Sequence, residues 1–232
     1  MISNVWDSPL FLLLSTLCAY LVGLSLYRRC HQHPLCQPIL IGILIMIALL
    51  FAVDVPFERY NDQVSILNLL LGTATVALAI PIYENFALIR HHLTPILVGV
   101  CLSGILSSGI AVGLAWMLGA TPKILLSIAP KSITTPFAIG VSEAIGGYPS
   151  LSAAMVILTG ILVAVTAAPL ARWAGVSSPM IIGLTMGMTG HGIATARAFE
   201  ISPQAGAFSA LGMGMMGLYI STLLPYFILF FG

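Results

Sequence analysis

The chain has 232 residues, of which 59% are hydrophobic and only 6% are charged, and its formal net charge is +1. Soluble domains carry about 25% charged residues, so this composition excludes an ordinary soluble domain and indicates an integral membrane protein. The near-neutral charge provides no basic surface for nucleic acid. At about 20 residues per crossing, the length allows roughly seven or eight spans. Residues 1–8 contain no Lys or Arg, so we expect no cleaved signal peptide.

The apolar runs follow one another through short loops and predict an all-α, polytopic integral membrane protein of about seven helices or spans. No polar domain or Pro/Ser-rich linker divides the series, so we expect a single domain over residues 1–232. Basic residues after the first run and an acidic loop at 54–62 place the N-terminus outside, by the positive-inside rule. In chain order, the runs cover residues 9–27, 38–53, 66–89, 93–118, 150–171, 179–199 and 205–231.

The loop after the first run carries two of the four cysteines, Cys30 and Cys36, with His31 and His33 between them. Cysteine and histidine are the usual zinc ligands, but this spacing matches no standard zinc pattern. Basic loops commonly flank membrane spans. We therefore interpret the loop as a plain basic interfacial segment and expect neither a metal nor a cofactor.

Residues 130–136 read Pro-Lys-Ser-Ile-Thr-Thr-Pro, deep inside the apolar sequence. Pro130 and Pro136 each remove a backbone donor and push the preceding residue toward extended geometry, so the pattern predicts a broken helix. Broken backbone at membrane depth is tolerated only where it is packed in protein or lines a water-filled cavity. An ammonium group such as that of Lys131 is costly in a membrane and therefore marks a functional site.

A second interrupted segment is predicted where glycines surround His191, and it also carries Arg197. Helix breaks expose backbone N–H groups that favour an anion, and an arginine can bind a carboxylate through two parallel hydrogen bonds. We therefore predict a site for a small carboxylate where the two segments meet, with His191 or Glu143 taking any coupled proton. The predicted substrate-binding residues are Lys131, Ser132, Thr134, Thr135, His191, Gly192, Thr195 and Arg197. The predicted helix-break residues are Gly72, Thr73, Pro130, Pro136 and Gly190.

Structural alternatives exist for each of these groups. Lys131 could pair with Glu143, and Arg197 with Glu200, only to neutralise one another, because buried charges usually find partners. The imidazole of His191 could simply donate to a carbonyl. The glycines of the last two runs could be helix–helix contacts, and we prefer that interpretation for residues 212–217. No nucleophile elbow, phosphate loop or zincin motif is present, and a Ser-Lys dyad of adjacent residues is remote, so we expect no enzyme.

The chain also contains an internal repeat. Residues 103–119 align without gaps to residues 159–175, and residues 72–80 align in register to residues 131–139, with a weaker third copy from His191. Each unit joins one polar, interrupted segment to one clean span, as in many transporters. If the interrupted segments cross the membrane the repeats are parallel, and if they are re-entrant the repeats are inverted. The predicted repeat units cover residues 64–119, 121–175 and 177–232.

Four motifs in order resemble those of the LrgB/CidB family, and the resemblance covers essentially the whole chain. They are Leu-Gly-Thr-Ala-Thr-Val-Ala-Leu-Ala-Ile-Pro-Ile-Tyr at 71–83, Ala-Pro-Lys-Ser-Ile-Thr-Thr-Pro at 129–136, Gly-Gly-Tyr-Pro-Ser-Leu at 146–151, and His-Gly-Ile-Ala-Thr-Ala-Arg-Ala at 191–198. Thr73 departs from the expected proline, which should soften the first break without abolishing it.

The resemblance implies a bacterial inner-membrane protein, usually encoded with a small holin-like partner of the LrgA/CidA family. Some members were described as antiholin-like modulators of murein hydrolase activity and lysis. Others, including the plastid glycolate/glycerate translocator and bacterial pyruvate-uptake systems, move small monocarboxylates. We therefore predict a transporter, or transporter subunit, for pyruvate-like or glycolate-like acids, and the alternative is a non-transporting antiholin-like regulator. The expected partners are the carboxylate, the lipid bilayer, the holin-like protein and further copies of the chain in a homo-oligomer.

Overall fold

The computed structural model describes residues 8–30 and 36–231, and these residues form helices without any strand. Five helices are long and apolar enough to cross a membrane, and a sixth crossing results if a bent pair is counted as one span. The predicted all-α, multi-pass membrane protein is therefore confirmed. The five are Pro9–Arg29, Ser65–Glu84, Leu93–Met117, Pro149–Trp173 and Pro203–Ile228, and the pair, bent by 113°, is Pro38–Val53 with Phe57–Gln63.

The described residues fall into two compact units, one within residues 1–77 and the other within residues 78–232. The first unit contains α1 (Pro9–Arg29), α2 (Pro38–Val53), α3 (Phe57–Gln63) and α4 (Ser65–Ala77). The second contains α5 (Ala79–Glu84), α6 (Phe86–His91), α7 (Leu93–Met117), α8 (Pro122–Ile128), α9 (Thr135–Ala144), α10 (Pro149–Trp173), α11 (Pro179–Ile201) and α12 (Pro203–Phe231). The single domain and the three repeat units stay predictions.

Local chemistry in the first unit explains where its helices begin and end. Ser8 caps α1, because its Oγ accepts the backbone N–H of Phe11 at 3.3 Å, as serine commonly does at this position. α2 ends at Asp54, which adopts a left-handed conformation with φ of 53°. A hydrogen bond of 2.9 Å between the hydroxyls of Thr16 and Tyr60 also joins α1 to α3.

The break predicted at Gly72 and Thr73 is absent, because both residues lie inside the continuous helix α4. Thr73 keeps its backbone N–H, which a proline would lack, and its Oγ1 donates to Leu70 O of the preceding turn at 2.9 Å. The break predicted at these two residues was therefore wrong.

The second unit has a core of fully buried apolar side chains contributed by the α8–α9 connection, α10, α11 and α12. The best-buried members include Ile133, Val156, Met186, Phe208 and Met216. Several of its helices begin with a proline in the first turn, where no intrahelical N–H bond is lost, as at Pro122 and Pro179. Residues of both interrupted segments belong to buried clusters, Ile133 of the first and Ala194 of the second.

Two long helices of this unit end in the same way. α7 and α10 each contain 25 residues. Each is followed by a glycine in left-handed conformation, Gly119 with φ of 80° and Gly175 with φ of 72°. Their N–H groups donate to Trp116 O and Arg172 O at 2.9 and 3.1 Å, an arrangement typical of glycine C-caps. The two glycines are aligned in the predicted repeat, which stays a prediction.

Candidate functional site

The Pro-Lys-Ser-Ile-Thr-Thr-Pro segment forms the predicted helix break. α8 ends at Ile128 and α9 begins at Thr135, with Pro136 in its first turn. Between the two helices, the N–H of Lys131 donates to Ile128 O at 3.1 Å and the N–H of Ile133 donates to Pro130 O at 3.3 Å. The connection is therefore a series of tight turns.

Lys131 and Ser132 meet a third polar side chain that comes from α7. The ammonium of Lys131 donates to the Oγ of Ser107 at 3.1 Å, and the hydroxyls of Ser107 and Ser132 lie 2.5 Å apart. The next residue of α7, Ser108, donates to Ala129 O at 2.8 Å. Consecutive serines of α7 thus fasten this helix to the break, and one of them holds the lysine.

Lys131 has no carboxylate partner within residues 8–30 and 36–231. The one side-chain contact recorded for its ammonium there is the neutral hydroxyl of Ser107. Glu143, the alternative partner, is exposed in the last turn of α9. Burying a charge without an opposite charge is expensive. The structure therefore does not support simple neutralisation of Lys131 by Glu143.

The two threonines of the segment lie at the N-terminus of α9. Thr134 is the N-cap residue, with φ of −65° and ψ of 150°, and its side chain makes no capping hydrogen bond. Thr135 is the first residue of the helix, and both threonines are half-buried. The side chain of Thr134 therefore does not satisfy the first N–H groups at the positive dipole end of α9, which begins four residues after Lys131 in the chain.

The second break lies at His191, one residue beyond the predicted Gly190. His191 has φ of 43° and ψ of −136° inside α11, whereas its neighbours are helical. A non-glycine residue rarely adopts positive φ, and such strain often lies at functional positions. Gly190 is buried against Val163, and a Cβ there would lie 2.7 Å from Val163 Cβ. Close packing accounts for Gly190, and the backbone strain is at the histidine.

The side chain of His191 points into α10. Its Nε2 lies 2.9 Å from Val156 O, and because a carbonyl can only accept, Nε2 carries the proton and donates. Thr195 donates to His191 O at 2.7 Å and lies 2.9 Å from the hydroxyl of Ser209. Gly192 is exposed, with open space where a Cβ would be. His191 thus donates to a carbonyl, as expected if its role is only structural.

Arg197 forms an ion pair with Glu200, one turn further along α11. This is the neutralising contact that the structural alternative anticipates for this arginine. The hydrogen bond from Lys131 leads to α7 and the one from His191 leads to α10. The two interrupted segments are therefore held by different neighbouring helices.

The Gly-Gly-Tyr-Pro-Ser-Leu motif has a structural role that the sequence does not reveal. Gly146 has φ of 83°, and a Cβ on Gly147 would lie 2.5 Å from Ser142 Oγ. The N–H of Tyr148 donates to the Oγ of Ser127 at 2.7 Å, and Ser152 donates to the carbonyl of Ser127. The motif therefore fastens the α9–α10 turn to α8.

A large apolar groove of about 700 Å³ lies beside the break without including the charged group. It is lined by α7, α8 and α12, and among its few polar lining residues are Ser108 and Tyr219. Neither Lys131 nor Ser132 lines it. We therefore place the candidate anion site at the Lys131 cluster, which consists of Lys131, Ser107 and Ser132, and not in this groove.

Sequence reasoning missed Ser107 and Ser108. Two adjacent hydroxyls in the middle of the apolar helix Leu93–Met117 could have indicated them. The repeat did not single them out, because the ungapped alignment pairs these serines with Val163 and Ala164, which cannot form hydrogen bonds through their side chains. The polar character is present in one copy of the repeat and absent from the other.

The cysteine loop was predicted to bind no metal. Its histidines, His31 and His33, lie outside the described residues. Cys30 and Cys36 are free thiols, and a hydrogen bond between the neutral Cys36 thiol and Cys30, together with desolvation, raises the pKa of Cys36.

The sequence matches the model of the LrgB-like family over residues 16–230. Uncharacterized protein YwbG of Bacillus subtilis is 31% identical over 93% of this chain and 95% of its own length. Uncharacterized protein YxaC of the same species is 34% identical over 88% of both chains. Holin-like protein CidB of Staphylococcus epidermidis is 29% identical over 98% of this chain and 99% of its own. No solved structure matches the chain.

Proposed function

The chain belongs to the LrgB-like family, and we propose that it transports small monocarboxylates similar in size to pyruvate or glycolate, alone or as the larger subunit of a transporter. The observation that carries this proposal is the ammonium of Lys131 at the α8–α9 break. Within the described parts of the chain its contact is a neutral hydroxyl, Ser107, and no carboxylate pairs with it.

An anion would supply what this arrangement lacks. A lysine in a protein of apolar helices is costly unless an opposite charge accompanies it. A carboxylate bound beside Lys131 would provide that charge and accept hydrogen bonds from the surrounding hydroxyls and from the uncapped N-terminus of α9. The attraction between the carboxylate and the ammonium of Lys131 would offset the free-energy cost of removing both charges from water.

The structure gives different degrees of support to the other predicted residues. Thr134 and Thr135 share the break with Lys131, which favours contact with the same ligand, and Ser132 would act on that ligand through its hydrogen bond with Ser107. The contribution of His191, Gly192, Thr195 and Arg197 stays a prediction, and for Arg197 the ion pair with Glu200 is a competing contact. Any coupled proton would be carried by His191, through Nδ1, or by Glu143.

We further propose the cellular setting that the family implies. The chain would lie in the bacterial inner membrane with its N-terminus outside, as a homo-oligomer and with a small holin-like membrane partner. Its interrupted segments would belong to the repeat units of residues 64–119, 121–175 and 177–232. No enzymatic reaction is proposed.

The alternative function is a non-transporting, antiholin-like regulator of murein hydrolase activity. It is favoured by the name of one relative, holin-like protein CidB of Staphylococcus epidermidis. A regulator of this kind acts through contacts with its partner and needs no substrate site. It would therefore tolerate neutralisation of Lys131.

The deciding experiment is uptake of radiolabelled pyruvate and glycolate into proteoliposomes. Lys131→Met removes the charge and keeps most of the side-chain volume, and we expect it to abolish saturable uptake. Lys123→Met is the matched control, because Lys123 is an exposed lysine whose ammonium lies over the ring of Tyr148, 4.8 Å from its centroid. Equal uptake by both variants, or none by the wild type with or without its partner, would favour the regulator.

A further inference from the structure

The hydroxyl protons of the Lys131 cluster can be assigned by counting donors and acceptors. A lysine ammonium has three donors and no acceptor, and a serine hydroxyl has one donor and two acceptor sites. Ser107 Oγ lies 3.1 Å from Lys131 Nζ and 2.5 Å from Ser132 Oγ. Because Lys131 can only donate, one acceptor site of Ser107 is occupied by the ammonium.

The second contact of Ser107 has a preferred direction. One proton lies between the two serine oxygens, and the other hydroxyl must direct its proton elsewhere. Ser132 is 1% exposed, and Ser107 is its only recorded side-chain hydrogen-bond partner among the described residues. If Ser107 donated to Ser132, the proton of Ser132 would be buried without an acceptor, which is costly. Ser132 therefore donates to Ser107.

Ser107 consequently accepts two hydrogen bonds and keeps its own proton for a third partner. The side chain is half-buried, so that partner can reach it. Hydrogen bonds in a chain polarise one another, and a hydroxyl that accepts from an ammonium and from a second hydroxyl is a stronger donor. Lys131 retains two further N–H donors beside it. The cluster thus offers three donors to a ligand, namely the O–H of Ser107 and two N–H groups of Lys131. None of its oxygens needs a hydrogen bond from that ligand.

We propose that Ser107 is a direct carboxylate ligand of this site. Its O–H would donate to one oxygen of the substrate carboxylate while an N–H of Lys131 donates to the other. Ser132 would act as a positioning residue, which orients the hydroxyl of Ser107 without touching the substrate. This inference rests on the proposed transport function, and it assigns to α7 a binding residue that lies outside the four motifs.

The proposal predicts unequal effects of the two serines. Loss of a hydrogen bond to a charged group is expected to weaken binding by about ten- to a hundredfold. Ser107→Ala should therefore raise the KM for pyruvate or glycolate by about tenfold or more. Ser132→Ala should raise the KM too, but by a factor several times smaller than Ser107→Ala does, because Ser107 keeps its proton in this variant. Ser107→Thr, which retains a hydroxyl, should recover most of the affinity.

The test is the initial rate of uptake as a function of substrate concentration, in proteoliposomes containing equal amounts of folded protein. Ser221→Ala is the matched control, because Ser221 donates to Leu218 O of its own helix. A merely structural role for Ser107 would lower the maximal rate and leave KM unchanged, which would overturn the proposal. An equal or larger KM effect of Ser132→Ala would also overturn it.

Failure of this inference differs from failure of the proposed function. If only the inference is wrong, Lys131→Met loses uptake while Ser107→Ala keeps the wild-type KM. If transport itself is wrong, the wild type shows no saturable uptake, or Lys131→Met retains it, and the role of Ser107 falls with it.

Discussion

The imidazole of His191 lies directly against Gly160 of α10. A Cβ added to Gly160 would be 2.7 Å from His191 Cε1 and 2.9 Å from Nε2. The glycine therefore provides the space in which the ring reaches Val156 O. In the predicted repeat Gly160 aligns with Gly104, where an added Cβ would lie 2.6 Å from the ring of Tyr219. Both aligned glycines thus accommodate a ring from a later helix.

Gly160→Ala should displace the imidazole and break its hydrogen bond to Val156. Overpacking of a well-packed site typically costs about 1–3 kcal/mol, so we expect a lower thermal unfolding temperature in detergent. Gly113→Ala is the control, because a Cβ at Gly113 meets nothing within 4 Å. If Gly160→Ala is as stable as this control, the ring is not confined as the structure shows.

Two replacements of His191 separate the role of its ring from the strain of its backbone. Both His191→Gly and His191→Ala remove the ring and its hydrogen bond, but only glycine adopts φ of 43° without strain. We expect the glycine variant to be the more stable by about 1 kcal/mol or more. Thermal unfolding measures the difference, and a more stable alanine variant would show that the kink relaxes once the ring is lost.

The close contact between α11 and α12 depends on Gly187. A Cβ at this position would collide with the backbone oxygen of Ser209 on α12, so the two helices would have to separate. We expect Gly187→Ala to destabilise the protein by about 1–3 kcal/mol or more. Gly214→Ala should be neutral, because nothing lies within 4 Å of a Cβ there. Similar stability of both variants would contradict the helix packing.

Cys30 should control the reactivity of Cys36. The hydrogen bond that the neutral Cys36 thiol makes with Cys30 raises the pKa of Cys36, so at a given pH less of Cys36 is thiolate and alkylation is slower. Cys30→Ala should lower this pKa and shift the rate of maleimide labelling toward lower pH. The measurement uses a background in which Cys18 and Cys101 are serine. An unchanged pH profile would show that the two thiols do not interact.

Some of the candidate site could be predicted from local rules. The two prolines around Lys131 predict the break because proline lacks an N–H and restricts its neighbour. The break at Gly72 and Thr73 was predicted without a local proline, and the helix continues there. The second break was predicted among the glycines around His191, and the non-helical residue is His191 itself.

The sequence by itself determined that this protein is a bundle of apolar helices, since so few charged residues cannot cover a soluble surface. It also determined where the first cationic break lies, because proline geometry acts within a few residues. Only the tertiary structure decided which group holds Lys131. Ser107 lies 24 residues away on another helix, and whether a hydroxyl meets an ammonium depends on how those helices pack, which no local pattern records.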